Sequence, residues 1–264
     1  MLEGVAATMS VEASRVDRKT SVSSVVDIVI PVYANEAQVR ACLSSVLAHH
    51  NESQGDIVVV NDCSPEPAVH RYLAALADQA LITLLTNEQN EGFIVSCNRG
   101  AAVHPDNDFV LLNADTEVHG NWLDRMVSHV EPGAKVASVT PFSNNATIAS
   151  YPTGATKPAT DEAVPIAAID QAMASANAGS SVALPTAIGF CMFVSREAWR
   201  ITGGFDKRYG RGYGEENEFC LATAALGWRH LLACDVFVYH AGGGSFGVES
   251  TRRKAEAQRI LDER

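Results

Sequence analysis

The sequence has few basic residues for its length. Its 264 residues include 20 Lys and Arg against 31 Asp and Glu, which gives a formal net charge of −11. Proteins that bind nucleic acids hold the phosphate backbone with clusters of Lys and Arg. The composition therefore argues against a nucleic-acid partner. A ligand that carries phosphates would need a cation to offset its charge.

Long apolar runs and paired cysteines are also missing. No run reaches the ~18 apolar residues of a membrane-spanning helix, and the first two dozen residues lack the apolar centre of a signal peptide. The six cysteines lie far apart and form no CxxC pair that would suggest zinc. We expect reduced thiols in a cytoplasmic protein. Contact with the inner face of a membrane through other domains is left open.

A third absence concerns the dinucleotide-binding fingerprint. Where a dehydrogenase has GxGxxG after its first strand, residues 31–36 read PVYANE. A sugar-phosphate nucleotidyltransferase would carry a loop rich in glycine and arginine near its amino end, and the chain has no such loop. Both enzyme classes are therefore poorly supported.

The sequence does contain alternating strand and helix patterns. Short β-branched runs such as VVDIVIPV predict buried strands, and apolar residues at helical spacing predict helices between them. The predicted strands are 25–32, 56–61, 81–85, 109–112, 136–139, 187–194 and 229–239, and the predicted helices are 36–49, 68–77, 94–102, 122–130, 196–201 and 215–226. This order predicts an α/β fold with a mostly parallel, Rossmann-like sheet and helices on both faces.

Three segments interrupt or flank this pattern. Residues 143–181 are rich in Ala, Thr, Pro, Ser and Asn. A structureless loop of that length is unusual, so we expect either a partly helical excursion or a mobile lid. We interpret residues 1–24 as a flexible segment and 25–248 as a single domain. Residues 249–264 read as a charged helix with little apolar face, or as the start of a linker.

The first candidate site follows the predicted strand 109–112. Residues 113–117 read NADTE, and the carboxyl end of a parallel strand is where ligands bind in such sheets. Carboxylate oxygens suit Mg²⁺ or Mn²⁺ shared with substrate phosphates, and Asp115 is the first candidate ligand. The alternative is a polar turn that caps the next helix.

Two further candidates lie near the carboxyl terminus. Glu215, Glu216 and Glu218 begin a predicted helix after the glycine-rich stretch 203–214. The helix dipole accounts for one or two acids there, whereas a general base on a hydroxyl is the functional reading. His240 ends a predicted strand, where it is either a metal ligand or structural.

The second strand also ends in polar residues. Asn61 and Asp62 follow its apolar run directly. They either hydrogen-bond a ligand or terminate the strand as an Asx turn.

Eight segments occur in an order that is characteristic of one family. They are VDIVIPVYANE, VVVNDCS, NEGF with CNRG, LLNADTEV, GFCMFVSREAW, GGFD, GYGEENEFC and FVYHAGGGSF. Over residues 25–247 the chain closely resembles family 2 glycosyltransferases of the GT-A fold, particularly bacterial enzymes that assemble cell-surface polysaccharides.

The resemblance implies roles for individual residues. Asp62 would accept a hydrogen bond from the nucleotide base, and Glu216, with Glu215 as its neighbour, would be the catalytic base. Asp115 and His240 would hold Mn²⁺ or Mg²⁺, with Asn113 where many members carry the first Asp of the metal motif. The residues implied in nucleotide binding are Pro31, Tyr33, Glu36, Asp62, Asn90, Gly92, Arg99, Asn113 and Ala114.

The implied activity is an inverting sugar transfer. A UDP- or dTDP-sugar would be the donor, and a hydroxyl of a saccharide or lipid-linked acceptor would attack it during synthesis of a bacterial surface polysaccharide such as lipopolysaccharide. The alternative is a catalytically weak scaffold that only binds a nucleotide sugar. Asn113 favours that alternative, whereas the acidic cluster and His240 oppose it.

Overall fold

The computed structural model describes residues 25–51, 54–151, 164–242 and 256–263. The strands are β1 (Val26–Val32), β2 (Ile57–Asn61), β3 (Thr83–Thr86), β4 (Asp108–Leu112), β5 (Thr116–Glu117), β6 (Val136–Phe142), β7 (Ser181–Leu184), β8 (Cys191–Val194), β9 (Arg229–Phe237) and β10 (Tyr239–His240). The helices are α1 (Glu36–His49), α2 (Pro67–Asp78), α3 (Phe93–Ala101), α4 (Trp122–Ser128), α5 (Ile166–Ala176), α6 (Arg196–Thr202) and α7 (Glu215–Ala224), and residues 256–262 are also helical.

Eight of the strands form one sheet in the order β3-β2-β1-β4-β8-β6-β9-β7. The first four are parallel, as are β6 and β9, whereas β8 and β7 run antiparallel to their neighbours. The predicted α/β fold with a mostly parallel sheet is confirmed. β1 lies between β2 and β4, so the chain reverses direction across the sheet here, which opens a crevice at the carboxyl ends of β1 and β4.

The sheet is covered on both faces because its strands alternate apolar side chains between two clusters. In β1, Ile28 and Ile30 pack with α1, α2 and α4, whereas Val29 packs with α3, α6 and α7. The other central strands divide in the same way, with Val110 in the first cluster and Phe109 in the second. Strands buried on both faces explain the near-continuous apolar runs in the sequence.

The strands predicted at 187–194 and 229–239 differ from the observed strands in ways that affect the site. The strand predicted at 187–194 begins only at Cys191, and residues 185–190 form a loop whose apolar members Ala187 and Phe190 are nevertheless buried. The strand predicted at 229–239 ends at Phe237, and β10 then pairs antiparallel with β5 in a second, two-stranded sheet. Hydrophobicity reports burial, so it does not show where a chain changes its pairing partner.

The stretch 143–181 is partly helical, which confirms one of its two interpretations. It contains a 3₁₀ turn (Thr147–Ala149) and helix α5, and it ends at the first residue of β7, while residues 152–163 lie outside the described chain. Helix α5 is fastened to the sheet by Asp170. Its carboxylate accepts from Arg125 Nη2 at 2.6 Å and from the backbone N–H of Phe237 at 3.1 Å.

The carboxyl-terminal helix differs from its prediction. The prediction for residues 249–264 is a charged helix with little apolar face, yet in the described part Ala257 is buried, and Ile260 and Leu261 pack against the cluster that contains α7. In the described part of the chain, no helix combines the length and hydropathy that a membrane crossing needs.

Gly100 marks the closest approach of α3 to the sheet. A Cβ at this position would lie 2.4 Å from Val29 Cγ1 and 3.1 Å from Val60 Cγ2, whereas one at Gly189 would meet no atom within 4 Å. We expect Gly100→Ala to lower the free energy of unfolding by about 1–2 kcal/mol, because overpacking outweighs the gain in helix propensity. Urea unfolding measures this, with Gly189→Ala as the control. A Gly100→Ala protein as stable as wild type would contradict the packing.

Candidate functional site

The loops that follow β1 and β2 are held by a carboxylate. Glu66 Oε1 and Oε2 accept hydrogen bonds from the backbone N–H groups of Asn35 and Glu36, at 2.9 and 3.0 Å. The Glu36 carboxylate itself is paired with Arg40 at 2.7 Å. Tyr33, which directly follows β1, is 47% exposed at the same edge of the sheet. The edge therefore offers an open aromatic ring on a fixed backbone.

Asp62 joins the ends of β2 and β3. Its Oδ1 accepts from Asn87 Nδ2 at 2.7 Å and from the backbone N–H of Glu91 at 2.8 Å, and its Oδ2 accepts from the N–H of Gly92 at 2.8 Å. Asp62 is buried, so these bonds compensate its desolvation. The structure thus brings Asp62, Asn90 and Gly92 into one loop cluster.

Asn61 supports the alternative that was left open for this strand end. Its Oδ1 accepts from the backbone N–H of Ser64 at 3.0 Å, and its Nδ2 lies 3.0 Å from His70 Nδ1. Asn61 therefore shapes the turn after β2.

Arg99 lies beside the same cluster but binds the protein. Its Nη1 donates to the carbonyl of Thr86 at 2.8 Å and to Asn87 Oδ1 at 2.5 Å. Asn87 in turn donates to Asp62. Arg99 therefore braces the loop after β3, and a direct contact with a nucleotide stays a prediction.

The ends of β4 and β8 meet beside the crevice. The backbone N–H of Asn113 donates to the carbonyl of Phe190 at 2.8 Å, and the Asn113 carbonyl accepts from Thr116 Oγ1 at 2.7 Å. Pro31 lies in β1, and Ala114 lies between Asn113 and Asp115 on this turn.

Asp115 and His240 come together through the small sheet. The pairing of β5 with β10 sets His240 opposite Thr116, and the N–H of Ala241 donates to the carbonyl of Asp115 at 3.0 Å. As a result, Asp115 Oδ1 lies 3.3 Å from His240 Nε2. The alternative reading of residues 113–117, a polar turn that caps the next helix, is wrong, because the N-cap residue of α4 is Asn121.

His240 is held on several sides. Its ring stacks on Phe190 with the ring centres 5.1 Å apart, and its Nδ1 lies 2.7 Å from the carbonyl oxygen of Asn145. Burial lowers the pKa of His240, but the hydrogen bond and the negative charge of Asp115, together with the bond to Asn145, raise it above 6.5 overall. The protonated imidazole can therefore pair with an anion, and the neutral imidazole can bind a cation.

The donor atoms fit a divalent cation that is shared with a substrate. A carbonyl oxygen only accepts, so a neutral His240 carries its proton on Nδ1 and directs the lone pair of Nε2 towards Asp115. Among the described residues no three His, Cys, Asp or Glu side chains are grouped to hold a metal. Mg²⁺ characteristically takes one or two protein ligands and completes its shell with phosphate oxygens and water.

The acids at the start of α7 point to different sides of the helix. Glu215, Glu218 and Phe219 line a cleft of about 410 Å³ beneath residues 201–206. Glu216 shares its face with Cys220, four residues later, whose Sγ accepts from the N–H of Ala187 at 3.2 Å. Glu216 therefore lies on the side of the loop 185–190, which carries Phe190 to His240.

Both acids hold their protons more tightly than usual. Burial, reinforced by the charge of Glu216, raises the pKa of Glu215 from 4.5 to about 8. Burial also raises the pKa of Glu216. Oε2 of each side chain is enclosed without a hydrogen-bond partner. Perturbed, unsatisfied acids in the protein interior are common at functional sites.

Sequence reasoning missed the residues that arrange these groups. Glu66 holds the first loop, Phe190 stacks on His240, and Asn144 and Asn145 contact the same histidine. None of them stands in a motif that indicates chemistry. The SNN run at 143–145 is the one local signal, since polar residues follow an apolar strand there.

Residues 27–200 match the family described as "Glycosyl transferase family 2". A protein of Haemophilus influenzae described as "Uncharacterized glycosyltransferase" is 23% identical over 114 residues, which are 43% of this chain and 35% of that protein. The chain thus spans about a third of the length of the curated relative it matches. Glu215, Glu216 and His240 lie beyond the family match.

Two solved structures are similar over most of the chain. GalNAc-T7 with UDP, GalNAc and Mn²⁺ has a TM-score of 0.67 and 17% identity, over 90% of this chain and 48% of that one. A mannosyltransferase of Pyrobaculum calidifontis with GDP-Man and Mn²⁺ has a TM-score of 0.61 and 18% identity, over 91% of this chain and 65% of that one. These neighbours show the GT-A fold.

The raised pKa of Glu215 makes stability depend on pH. The folded chain binds this proton up to about pH 8, whereas an unfolded Glu releases it near 4.5. The stabilisation is therefore complete below pH 4.5 and is lost as the pH rises towards 8. We expect Glu215→Gln to lose less stability than wild type between about pH 5 and pH 8 in urea unfolding. Parallel pH profiles of the two proteins would contradict the burial of this acid.

Proposed function

The chain belongs to glycosyltransferase family 2, and we propose that it transfers a sugar from a nucleotide-diphosphate donor to an acceptor hydroxyl with inversion at the anomeric carbon. The observation that carries this proposal is the meeting of Asp115 and His240 at the carboxyl end of β4. Family membership supports the reaction class. The general rule that open α/β sheets bind ligands at the carboxyl ends of their strands supports this edge of the sheet as the site.

The nucleotide lies across the ends of β1, β2 and β4 in this proposal. Tyr33 offers a ring face to the base, and Asp62 directs the loop that contains Asn90 and Gly92 towards it. A UDP- or dTDP-sugar is the favoured donor. The two structural neighbours hold UDP and GDP-mannose, so guanosine donors belong in the test as well.

Asp115 and His240 hold a divalent cation, Mn²⁺ or Mg²⁺, in this proposal. Asp115 contributes a carboxylate oxygen and His240 contributes Nε2. When bound, the cation neutralises the charge that develops on the departing diphosphate. Asn113, which replaces a carboxylate, leaves Asp115 as the acidic residue of this turn.

Glu216 is the proposed base. It lies at the amino end of α7 on the side of the loop 185–190, and it removes the proton of the acceptor hydroxyl as that oxygen attacks. Its raised pKa strengthens it as a base once it is ionised. Direct attack needs no protein nucleophile, and the product is therefore inverted. Glu215 lines the cleft on another side of the helix and serves as the matched comparison.

The acceptor is a saccharide or lipid-linked hydroxyl, and the process is assembly of a bacterial surface polysaccharide such as lipopolysaccharide. The resemblance of the ordered motifs supports this assignment. A chain that binds the donor without transferring it is the second candidate, which Asn113 favours.

A release assay tests the function. Uridine, thymidine and guanosine diphosphate sugars are supplied with Mn²⁺ or Mg²⁺, with and without chelator, to wild type and to Asp115→Ala, Glu216→Gln and Glu215→Gln. We expect metal-dependent release from one donor. Glu216→Gln should lower kcat by about 10²–10⁴-fold, as expected for loss of a general base, and Glu215→Gln should lower it far less.

Donor affinity and product stereochemistry complete this test. Glu216→Gln should bind the donor as wild type does, because the base acts on the acceptor. NMR of the new linkage should show inversion. A wild-type rate in Glu216→Gln would remove the base assignment, and binding without turnover, even with saccharide acceptors, would favour the scaffold.

A further inference from the structure

The segment after β6 contacts His240 through two neighbouring asparagines in different ways. We call residues 143–151 the clamp loop. Asn144 is 1% exposed within it, whereas Asn145 is exposed. Neither side chain has a role in the proposed chemistry.

The clamp loop is closed on itself. The N–H of Tyr151 donates to the carbonyl of Ser143 at 2.8 Å, and the N–H of Ser143 donates to the carbonyl of Ala149 at 3.1 Å. Ser150 Oγ accepts from the N–H of Ala146 at 2.8 Å. A loop with its backbone bonded in this way presents Asn144 from a fixed position.

The side chain of Asn144 acts as a strand partner for His240. Its Oδ1 accepts from the N–H of His240 at 2.8 Å, and its Nδ2 donates to the carbonyl of His240 at 2.9 Å. On the other edge of β10, the N–H of Ala241 donates to Asp115. The two-residue strand is therefore held from both sides, and one side consists of a single amide.

Asn145 contributes its backbone. Its carbonyl oxygen lies 2.7 Å from His240 Nδ1, which leaves Nε2 facing Asp115. Any residue at position 145 would supply that carbonyl, provided that the backbone keeps its conformation. The Asn145 side chain is therefore not needed for this contact. Of the two asparagines, Asn144 is therefore the one whose side chain positions His240.

We propose that Asn144 is a positioning residue that holds His240 as an Nε2 ligand and thereby sets the affinity of the site for a divalent cation. This inference rests on the proposed function, in which Asp115 and His240 share that cation. Hydrogen-bonded groups behind metal-ligating histidines fix the ring orientation, and their loss characteristically weakens metal binding by about 10–100-fold.

Mn²⁺ binding measured by EPR tests this proposal without any turnover. Wild type, Asn144→Ala and Asn145→Ala are titrated with Mn²⁺ alone and with Mn²⁺ plus UDP. We expect Asn144→Ala to bind Mn²⁺ about 10–100-fold more weakly, and Asn145→Ala to bind as wild type does. Equal affinities in all three proteins would overturn the proposal.

A double-mutant cycle separates positioning from general damage. If Asn144 acts through His240, its removal changes nothing further in a His240→Ala protein, since coupled residues are not additive. An undiminished effect in that background would refute the positioning role. Asn144→Ser replaces Asn144→Ala if the alanine variant does not fold.

The outcomes also separate this inference from the function beneath it. If wild type binds no Mn²⁺ with or without UDP, or if Asp115→Ala binds Mn²⁺ as tightly as wild type, both the metal site and the inference are refuted. Wild type that binds through Asp115 while Asn144→Ala is unchanged would remove the inference alone.

Discussion

The candidate site depends on the antiparallel pairing of two very short strands, β5 and β10. Each has two residues, so their mutual backbone bonds alone would be a weak constraint. The pairing persists in the structure because only the short turn 113–115 separates β5 from buried β4, and because the Asn144 amide binds the free edge of β10. Without this pairing, Asp115 would remain at a strand end with no histidine beside it. The first candidate metal ligand, Asp115, is positioned by the local chain, and the second, His240, is brought to it by the pairing of β5 with β10.

The loops that follow β1, β2 and β3 use carboxylates differently. Asp62 and Glu66 are acids whose oxygens mainly accept backbone N–H groups of neighbouring loops. Each such bond involves a charged acceptor and is therefore stronger than a neutral one. Fixed loops reduce the entropy that ordering on substrate binding would cost. Asp62 and Glu66 thus also fix the shape of the candidate site before a ligand binds.

At α7, by contrast, acids are left unsatisfied. Glu215 and Glu216 are enclosed with an unpaired oxygen each, and both pKa values are raised by burial. A buried acid without a partner lowers stability once it ionises. Such a cost is characteristic of positions retained for chemistry. Both acids carry this cost, but their side chains point in different directions, because successive residues of a helix lie about 100° apart around its axis.

The sequence by itself determined the alternation of strands and helices, both faces of the sheet, and the place of Asp115 at the end of β4, since these follow from periodicities of a few residues. It also identified His240 and the acids of α7 as candidates. Only the tertiary structure decided that the chain leaves β9 to pair with β5, that residues 185–190 form a loop, and that Glu215 rather than Glu216 lines the cleft beside α7. The role of Asn144 could not be predicted from the sequence for the same physical reason. Its role comes from contacts with residues far along the chain, which local hydrophobicity and spacing do not encode.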